Sequence, residues 1–155
     1  MPLTISDRAR AIYRSSLVWD MTVPYGIQHA TDGVTLPRFR KAGFGVVSLT
    51  IGGDKTFGPE TALANIGAVY EVCAKHPELY RFVHHIDDVE LERNEGKLAI
   101  TLNFQGTNVL ANNLGLVEVF YRLGVRHMLM AYNQTNLVGD GCAERTDAGL
   151  SRFGL

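Results

Sequence analysis

Short stretches of alternating apolar and polar residues divide this chain, and longer stretches with helical spacing lie between them. The clearest alternating stretch is Leu98–Phe104, which runs up to Gln105 and is interrupted by Gly106. A period of two over seven residues is typical of a buried β-strand. Similar stretches predict further strands at residues 17–19, 45–51, 80–83 and 125–131.

The stretches between these strands have apolar residues three and four positions apart, the spacing of one helix face. The clearest is Pro59–Lys75, which ends before Pro77 and places five residues on one face: Ala62, Ile66, Val69, Tyr70 and Cys73. Further helices are predicted at residues 7–16, 36–42, 87–93 and 114–123. The last of them is expected to bury Leu116, Val117, Phe120 and Leu123. Residues 27–35 are expected to form a loop.

Strands that alternate with helices predict an α/β fold with parallel pairing and right-handed crossovers. Residues 1–155 would form a single incomplete domain, because an open parallel sheet of four or five strands leaves an edge exposed. We therefore expect a homo-oligomer, or completion of the sheet by a missing C-terminal half.

Composition narrows the classes of function. The 155 residues are 46% hydrophobic and 20% charged with a net charge of −1, as in a globular protein without a basic surface for nucleic acid or an anionic membrane. No apolar segment approaches the ~18 residues of a membrane span, and no signal peptide is visible, so a cytoplasmic location is predicted. Cys73 and Cys142 form no C-x-x-C unit, which indicates a reducing compartment or simple packing.

Polar residues follow the predicted strands at their C-terminal ends, where parallel α/β proteins usually place their chemistry. Gln105 could satisfy neighbouring backbone groups or face a substrate or metal. Asp20 could bind a metal, or it could cap a helix or brace a loop; Asn133 could contact a substrate carbonyl or form a turn. The segment with Asp140 and Arg145 would be either a solvated loop with internal ion pairs or a lid or substrate-recognition loop.

Three histidines are interpreted as surface or core residues: His84, His85 and His127. The first two are adjacent, so they would point to opposite sides of an extended chain. His127 lies within a predicted strand. None of the three is expected to bind a ligand.

Several strand ends resemble the N-terminal half of the membrane (renal-type) dipeptidase family, peptidase family M19. The similar segments are Asp20–Pro24, Phe104–Gly106, Leu114–Leu129, Tyr132–Asn136 and Gly149–Gly154. This resemblance implies part of an amidohydrolase-like (β/α)₈ TIM barrel. It also implies Zn²⁺ as cofactor and hydrolysis of a small peptide-like substrate by metal-activated water.

The same resemblance implies roles for individual residues. Asp20 and Thr22 fall where the family has the His and Asp of a zinc-binding His-x-Asp, although a gapped alignment matches Asp20 to an Asp just before that His. Gln105 falls on the bridging glutamate, and Asn133 on a substrate-contacting histidine. We therefore predict metal contacts by Asp20, Thr22 and Gln105, and catalytic roles for Gln105 and Asn133. Substrate contacts are predicted for Tyr132, Asp140 and Arg145.

Three functions remain open from the sequence. The chain could belong to a zinc-dependent dipeptidase, with its remaining ligands beyond Leu155. It could be a non-catalytic relative that binds a small peptide-like ligand, since a glutamine amide offers one neutral oxygen where a bridging carboxylate offers two charged ones. It could also be a barrel fragment that needs a partner half.

Overall fold

A computed structural model describes residues 4–24, 26–53 and 57–155, with the side chains of 91–94 excepted. The strands are β1 (Trp19–Val23), β2 (Val46–Gly52), β3 (Tyr80–Phe82), β4 (Leu98–Phe104) and β5 (Val125–Met128). The helices are α1 (Asp7–Ser15), α2 (Ile27–Thr31), α3 (Thr35–Ala42), α4 (Pro59–Lys75), α5 (Ile86–Glu95) and α6 (Gly115–Arg122), with a 3₁₀ turn at Asn108–Leu110.

The five strands form one parallel sheet in which β4 is central. One edge of β4 pairs with β2, which pairs in turn with β1. The other edge pairs with β3 near the start of β4 and with β5 near its end. The predicted α/β fold with a parallel sheet of four to five strands is confirmed.

The strand order separates the two crossover helices that flank β3. The chain passes over β4 from β2 to β3 through α4 and then reverses direction through α5, so right-handed connections place these helices on opposite faces of the sheet. Ala62, Ile66 and Val69 of α4 pack into the larger apolar core with alternate residues of β2 and β4. Val89 of α5 instead joins a smaller cluster with Val46, Val83 and Ala99, against which Trp19 packs.

We call the α4-covered side of the sheet the outer face and the opposite side the inner face. Outer-face residues of β4 are the large apolar ones, such as Ile100 and Phe104. Its inner-face residues are Ala99, Thr101 and Asn103, which are just as buried. This division explains why β4 is buried throughout and yet carries the polar residues Thr101 and Asn103.

The predicted helices at residues 7–16, 36–42, 59–75, 87–93 and 114–123 are confirmed as α1, α3, α4, α5 and α6. Asn65 of α4, also buried, donates its side-chain amide to the carbonyl of Ile51 at the end of β2 (2.9 Å). Gly43 ends α3 at φ 93°, a left-handed conformation that glycine adopts without steric cost.

Four expectations about element limits and burial are wrong. Residues 27–35 contain the short helix α2. The intrinsic propensity of so short a helix does not stabilise it, and the packing of Ala30 against the core does. The first strand begins at Trp19 rather than Leu17, which is 41% exposed, so Asp20 and Thr22 lie inside β1. The last strand ends at Met128, before the predicted 131, and Val117 is 47% exposed.

None of the helices in the described part of the chain combines the length and apolar character that crossing a bilayer requires.

Candidate functional site

The C-terminal ends of three strands are joined by hydrogen bonds into one edge. The backbone amide of Gln105 donates to the backbone carbonyl of Gly52 (2.8 Å), which links the exits of β4 and β2. The amide of Leu129 donates to the carbonyl of Phe104 (2.9 Å), which links the exits of β5 and β4. Gln105 is half-buried on this edge and continues the inner-face series of β4.

Asp20 and Thr22 interact with each other at the edge strand β1. The amide of Thr22 donates to Asp20 Oδ1 (3.0 Å), and Thr22 is exposed. Asp20 is in register with Val47, a residue of the outer face, whereas Gln105 belongs to the inner-face series. Because register partners on neighbouring strands share a face, the structure does not bring Asp20 and Gln105 together on one face.

A buried hydrogen-bond network crosses the inner face just below Gln105. Asn103 is 1% exposed and donates its amide to both the carbonyl (3.0 Å) and the hydroxyl (3.1 Å) of Ser48. Thr50 in turn donates its hydroxyl to Asn103 Oδ1 (3.0 Å). The network joins β2 to β4 and fixes the orientation of the Asn103 amide.

His127 of β5 lies beside this network, because its register partner is Asn103. Its Nε2 is buried and has no hydrogen-bond partner among the described residues. Burial lowers the pKa of His127, and a backbone hydrogen bond with Met21 of β1 acts in the opposite direction. We call Thr50, Asn103 and His127 the inner polar layer; it is uncharged when His127 is neutral.

The polar segment after β5 folds back over the strand exit. The amide of Cys142 donates to the carbonyl of Tyr132 (2.8 Å), and the amide of Ala143 donates to the carbonyl of Asn133 (3.0 Å). A Cβ at Gly141 would lie 2.4 Å from the backbone carbon of Asn133, so only glycine fits this approach. The Asn133 side chain accepts a contact from the Cys142 thiol at 3.5 Å.

Asp140 braces this segment from within. Its carboxylate accepts hydrogen bonds from the hydroxyls of Thr135 (2.7 Å) and Thr146 (3.2 Å) and from the amide of Ala148 (2.9 Å). These bonds, with that from Thr135 first, lower the pKa of Asp140. Arg145 is exposed, and Tyr132 is 42% exposed. Their substrate contacts, like those of Asp140, stay predictions.

The donor set of the predicted metal residues can be compared with what zinc requires. A catalytic zinc site uses three protein ligands drawn from His, Cys and carboxylates. Within the described ranges, no group of three or more His, Cys, Asp or Glu side chains could hold a metal ion. Thr22 and Gln105 are neutral oxygen donors, and Asp20 lies on the other face. These residues do not fit a zinc site by themselves.

The inner polar layer was missed by the sequence interpretation. Asn103 was visible as a polar residue in a buried strand, which signals that its hydrogen bonds must be satisfied inside the protein. Thr50 and His127 carried no comparable signal, since their proximity to Asn103 depends on strand order and register.

A surface cavity of about 480 Å³ lies elsewhere, lined by His29, Thr35, Arg38, Phe39, Ala42 and Phe44. None of its lining residues is a predicted site residue. It therefore does not contribute to the strand-exit site.

The parallel sheet, its covering helices and the polar strand exits are those of part of a TIM barrel. The family model for membrane dipeptidase, peptidase family M19, matches residues 15–155. The chain therefore belongs to the M19 membrane dipeptidase family, and the predicted family is confirmed.

Curated relatives support this assignment over part of the chain. An uncharacterized dipeptidase from Schizosaccharomyces pombe is 30% identical over 98 residues, which is 60% of this chain and 24% of the relative. Dipeptidase tcpJ from Claviceps purpurea is 34% identical over 83 residues, which is 50% of this chain and 20% of the relative. The chain thus matches about a quarter or less of these relatives' lengths.

Solved structures share the fold over nearly the whole chain. An amidohydrolase from Pseudomonas aeruginosa has a TM-score of 0.79 at 30% identity, covering 94% of this chain and 42% of its own. A metallo peptidase from Rhodobacter sphaeroides, liganded with a phosphinate mimic of the dipeptide L-Ala-D-Ala, has a TM-score of 0.72 at 14% identity. It covers 89% of this chain and 53% of its own, so this chain corresponds to about half of a TIM-barrel dipeptidase.

Proposed function

We propose that this chain is the substrate-binding half of an M19-type dipeptidase barrel and binds small peptide-like compounds at the C-terminal ends of its strands. The observation that carries the proposal is the joined edge formed by Gln105, Gly52, Phe104 and Leu129. It lies where TIM-barrel enzymes bind their substrates. Family membership supplies the class of substrate.

The roles of the chain's own residues follow from their chemistry. The Gln105 amide can donate to one polar atom of a ligand and accept from another, and it is half-buried at the edge. Asn133 and Tyr132 lie at the adjoining exit, where the fold-back of residues 141–143 holds their backbone. These residues would bind and orient a dipeptide.

Hydrolysis needs more than the described residues supply. The predicted metal residues do not form a zinc site by themselves, and the chain spans 42% of the amidohydrolase that it resembles. We therefore expect the isolated chain to bind dipeptides without appreciable turnover.

A thermal-shift titration with L-Ala-D-Ala and L-Ala-L-Ala tests the binding. A ligand that binds only the folded state stabilises it by RT ln(1 + [L]/Kd), about 2.7 kcal/mol at a hundredfold excess over Kd. Gln105→Ala should weaken the shift, and Gln28→Ala, an exposed change on α2, should leave it unaltered. Absence of any shift over a dipeptide panel would contradict the proposal.

A second candidate is a dipeptidase that becomes active when the barrel is complete. The coverage of the solved relatives, about half of each chain, favours it. Dipeptide hydrolysis that appears only when a C-terminal half-barrel of the family is added in trans, with Zn²⁺ present, would support this candidate. Continued inactivity of the reconstituted barrel would contradict this candidate and leave ligand binding as the only proposed function.

A further inference from the structure

The sheet ends in two open edges. In the described part of the chain, β1 pairs only with β2, and β5 pairs only with β4. The short strand β3 lies end to end with β5 along one edge of β4, so the main row consists of four strands: β1, β2, β4 and β5. An open edge presents unpaired backbone N–H and C=O groups, which can pair with a strand of another chain.

The row of strands is curved, so its two open edges turn towards each other. The His127 side chain on β5 forms a hydrogen bond with the backbone of Met21 on β1, although two strands lie between them. In a flat sheet these strands would be ~14 Å apart, three times the spacing of neighbouring strands, which an imidazole cannot span. The row therefore bends around its inner face, as the strands of a barrel do.

An exposed apolar stripe flanks the open edge at β5. Leu114, Val117 and Tyr121 are three and four positions apart and lie on one side of α6; all three are exposed. The buried Phe120 faces the sheet, and the ring of Tyr121 lies 4.6 Å from the guanidinium carbon of Arg126 on β5. These three residues, which we call the α6 stripe, therefore face the β5 side of the sheet.

The surface cavity of about 480 Å³ flanks the other open edge, at β1. Its wall on α3 includes Thr35, which comes one residue before the buried Leu36. In the α6 stripe, Tyr121 instead comes one residue after the buried Phe120. Each residue turns a helix by about 100°, so the cavity and the stripe lie on opposite flanks of their helices. Both helices cover the outer face of the sheet, so the cavity faces the β1 side.

We propose that two copies of this chain close into one eight-stranded barrel, with the α6 stripe of each copy packed into the surface cavity of the other. A twofold axis along the barrel places β5 of one copy beside β1 of the other and keeps all eight strands parallel. This closure pairs every open edge and covers both stripes. The apolar lining of the cavity, formed by Phe39, Ala42 and Phe44, matches the apolar side chains of the stripe.

The number of strands favours a second copy as the partner. Four barrel strands from each copy give the eight of a TIM barrel. The chain also covers 42% and 53% of two solved relatives, so two copies supply about one barrel. The association itself does not depend on ligand binding. Its consequence for the ligand site, a Gln105 from each copy at one mouth, rests on the proposed function.

Sedimentation equilibrium of the unliganded chain tests the association and should give twice the 17.1 kDa mass of one chain. Val117→Glu should weaken the association about a hundredfold, because symmetry buries an unpaired carboxylate in both interfaces. Val119→Glu makes the same change at an exposed valine on the other flank of α6 and should remain dimeric. At the cavity, Ala42→Glu should dissociate the dimer, whereas Lys41→Glu, at an exposed neighbour on α3, should not.

A mixture of the two disrupted variants distinguishes closure into a barrel from other arrangements. The Ala42→Glu chain keeps its stripe and the Val117→Glu chain keeps its cavity, so one intact interface can form between them. The mixture should therefore contain dimers that neither variant forms alone, which also shows that both variants are folded. A dimer that survives Ala42→Glu but not Val117→Glu would mean that two stripes pack on each other, and would overturn the inference.

The outcomes separate this inference from the proposed function. A monomeric chain, or one that forms open-ended oligomers, would overturn the inference, and a dipeptide-dependent thermal shift in that chain would keep the proposed function. A dimer with the expected behaviour of the variants but without a dipeptide-dependent shift would keep the inference and reject dipeptide binding.

Discussion

Thr107 donates its hydroxyl to the carbonyl of Met130 over 2.8 Å, which ties the segment after β4 to the segment after β5. Thr107 is 6% exposed, so water does not compete for this bond. The two tied segments carry Gln105 and Asn133. Their relative position therefore depends on a contact between residues that are distant in sequence.

Replacement of Thr107 by valine should destabilise the fold by about 1 kcal/mol, because the Met130 carbonyl loses one of its two side-chain donors and keeps only the amide of Asn136. Urea unfolding measures the change. Thr61→Val, an exposed position on α4, is the control and should cost less. Equal effects of the two changes would mean that the Thr107 bond contributes nothing specific.

Asn65→Ala should destabilise the protein by about 1–3 kcal/mol, since it leaves the buried carbonyl of Ile51 without its partner and opens space beside α4. The control is Leu63→Ala on the same helix, where the side chain is 46% exposed. Chemical denaturation of both variants measures the free energy of unfolding that each change removes. An Asn65 change as mild as the Leu63 change would show that the end of β2 does not depend on this bond.

Asp140→Asn should lower stability at neutral pH, because the hydrogen bonds to Asp140 hold its pKa below the usual value. A depressed folded-state pKa stabilises the fold at pH above the unfolded value, ~3.9, and this stabilisation disappears as pH falls through the folded pKa. The difference between the two proteins should therefore shrink in acid. Unfolding curves between pH 7 and pH 2 measure it, with the exposed Asp147→Asn as control. A difference independent of pH would contradict the assignment.

Cys142 should react with a thiol reagent in the native protein, and Cys73 should react only after unfolding. Burial raises the pKa of Cys73 to about 12, which keeps its reactive thiolate scarce, whereas Cys142 is exposed. Ellman's reagent should titrate one thiol in buffer and two in guanidinium chloride. Cys142→Ser should remove the native signal; a native signal that persists in this variant would show that Cys73 is accessible.

Gln105→Glu should raise the affinity of the chain for Zn²⁺ if Gln105 stands at the family's bridging position, because a carboxylate is a stronger zinc ligand than an amide oxygen. Isothermal titration calorimetry measures the affinity. Gln28→Glu adds the same charge at an exposed site on α2 and should leave zinc binding unchanged. Indistinguishable titrations would mean that Gln105 does not face a metal position.

Local patterns accounted for much of the fold. The alternation in Leu98–Phe104 and the spacing of Ala62, Ile66 and Val69 predicted β4 and α4 correctly, because each pattern reflects which side of an element is buried. The limits of β1 and β5 and the short helix α2 were missed. The limits of the two strands depend on pairing with distant strands. The helix α2 depends on packing with distant residues, because its Ala30 contacts the core.

The features of the candidate site also fall into two groups, those that local sequence determined and those that tertiary structure decided. The sequence by itself determined that Gln105 ends a buried strand and that a polar segment follows Asn133, since both depend on neighbouring residues only. Tertiary structure alone decided that Asp20 lies on the other face from Gln105, because a face is set by strand register. It also decided that Thr50, Asn103 and His127 form one layer, since strand order in a sheet is a property of the whole chain.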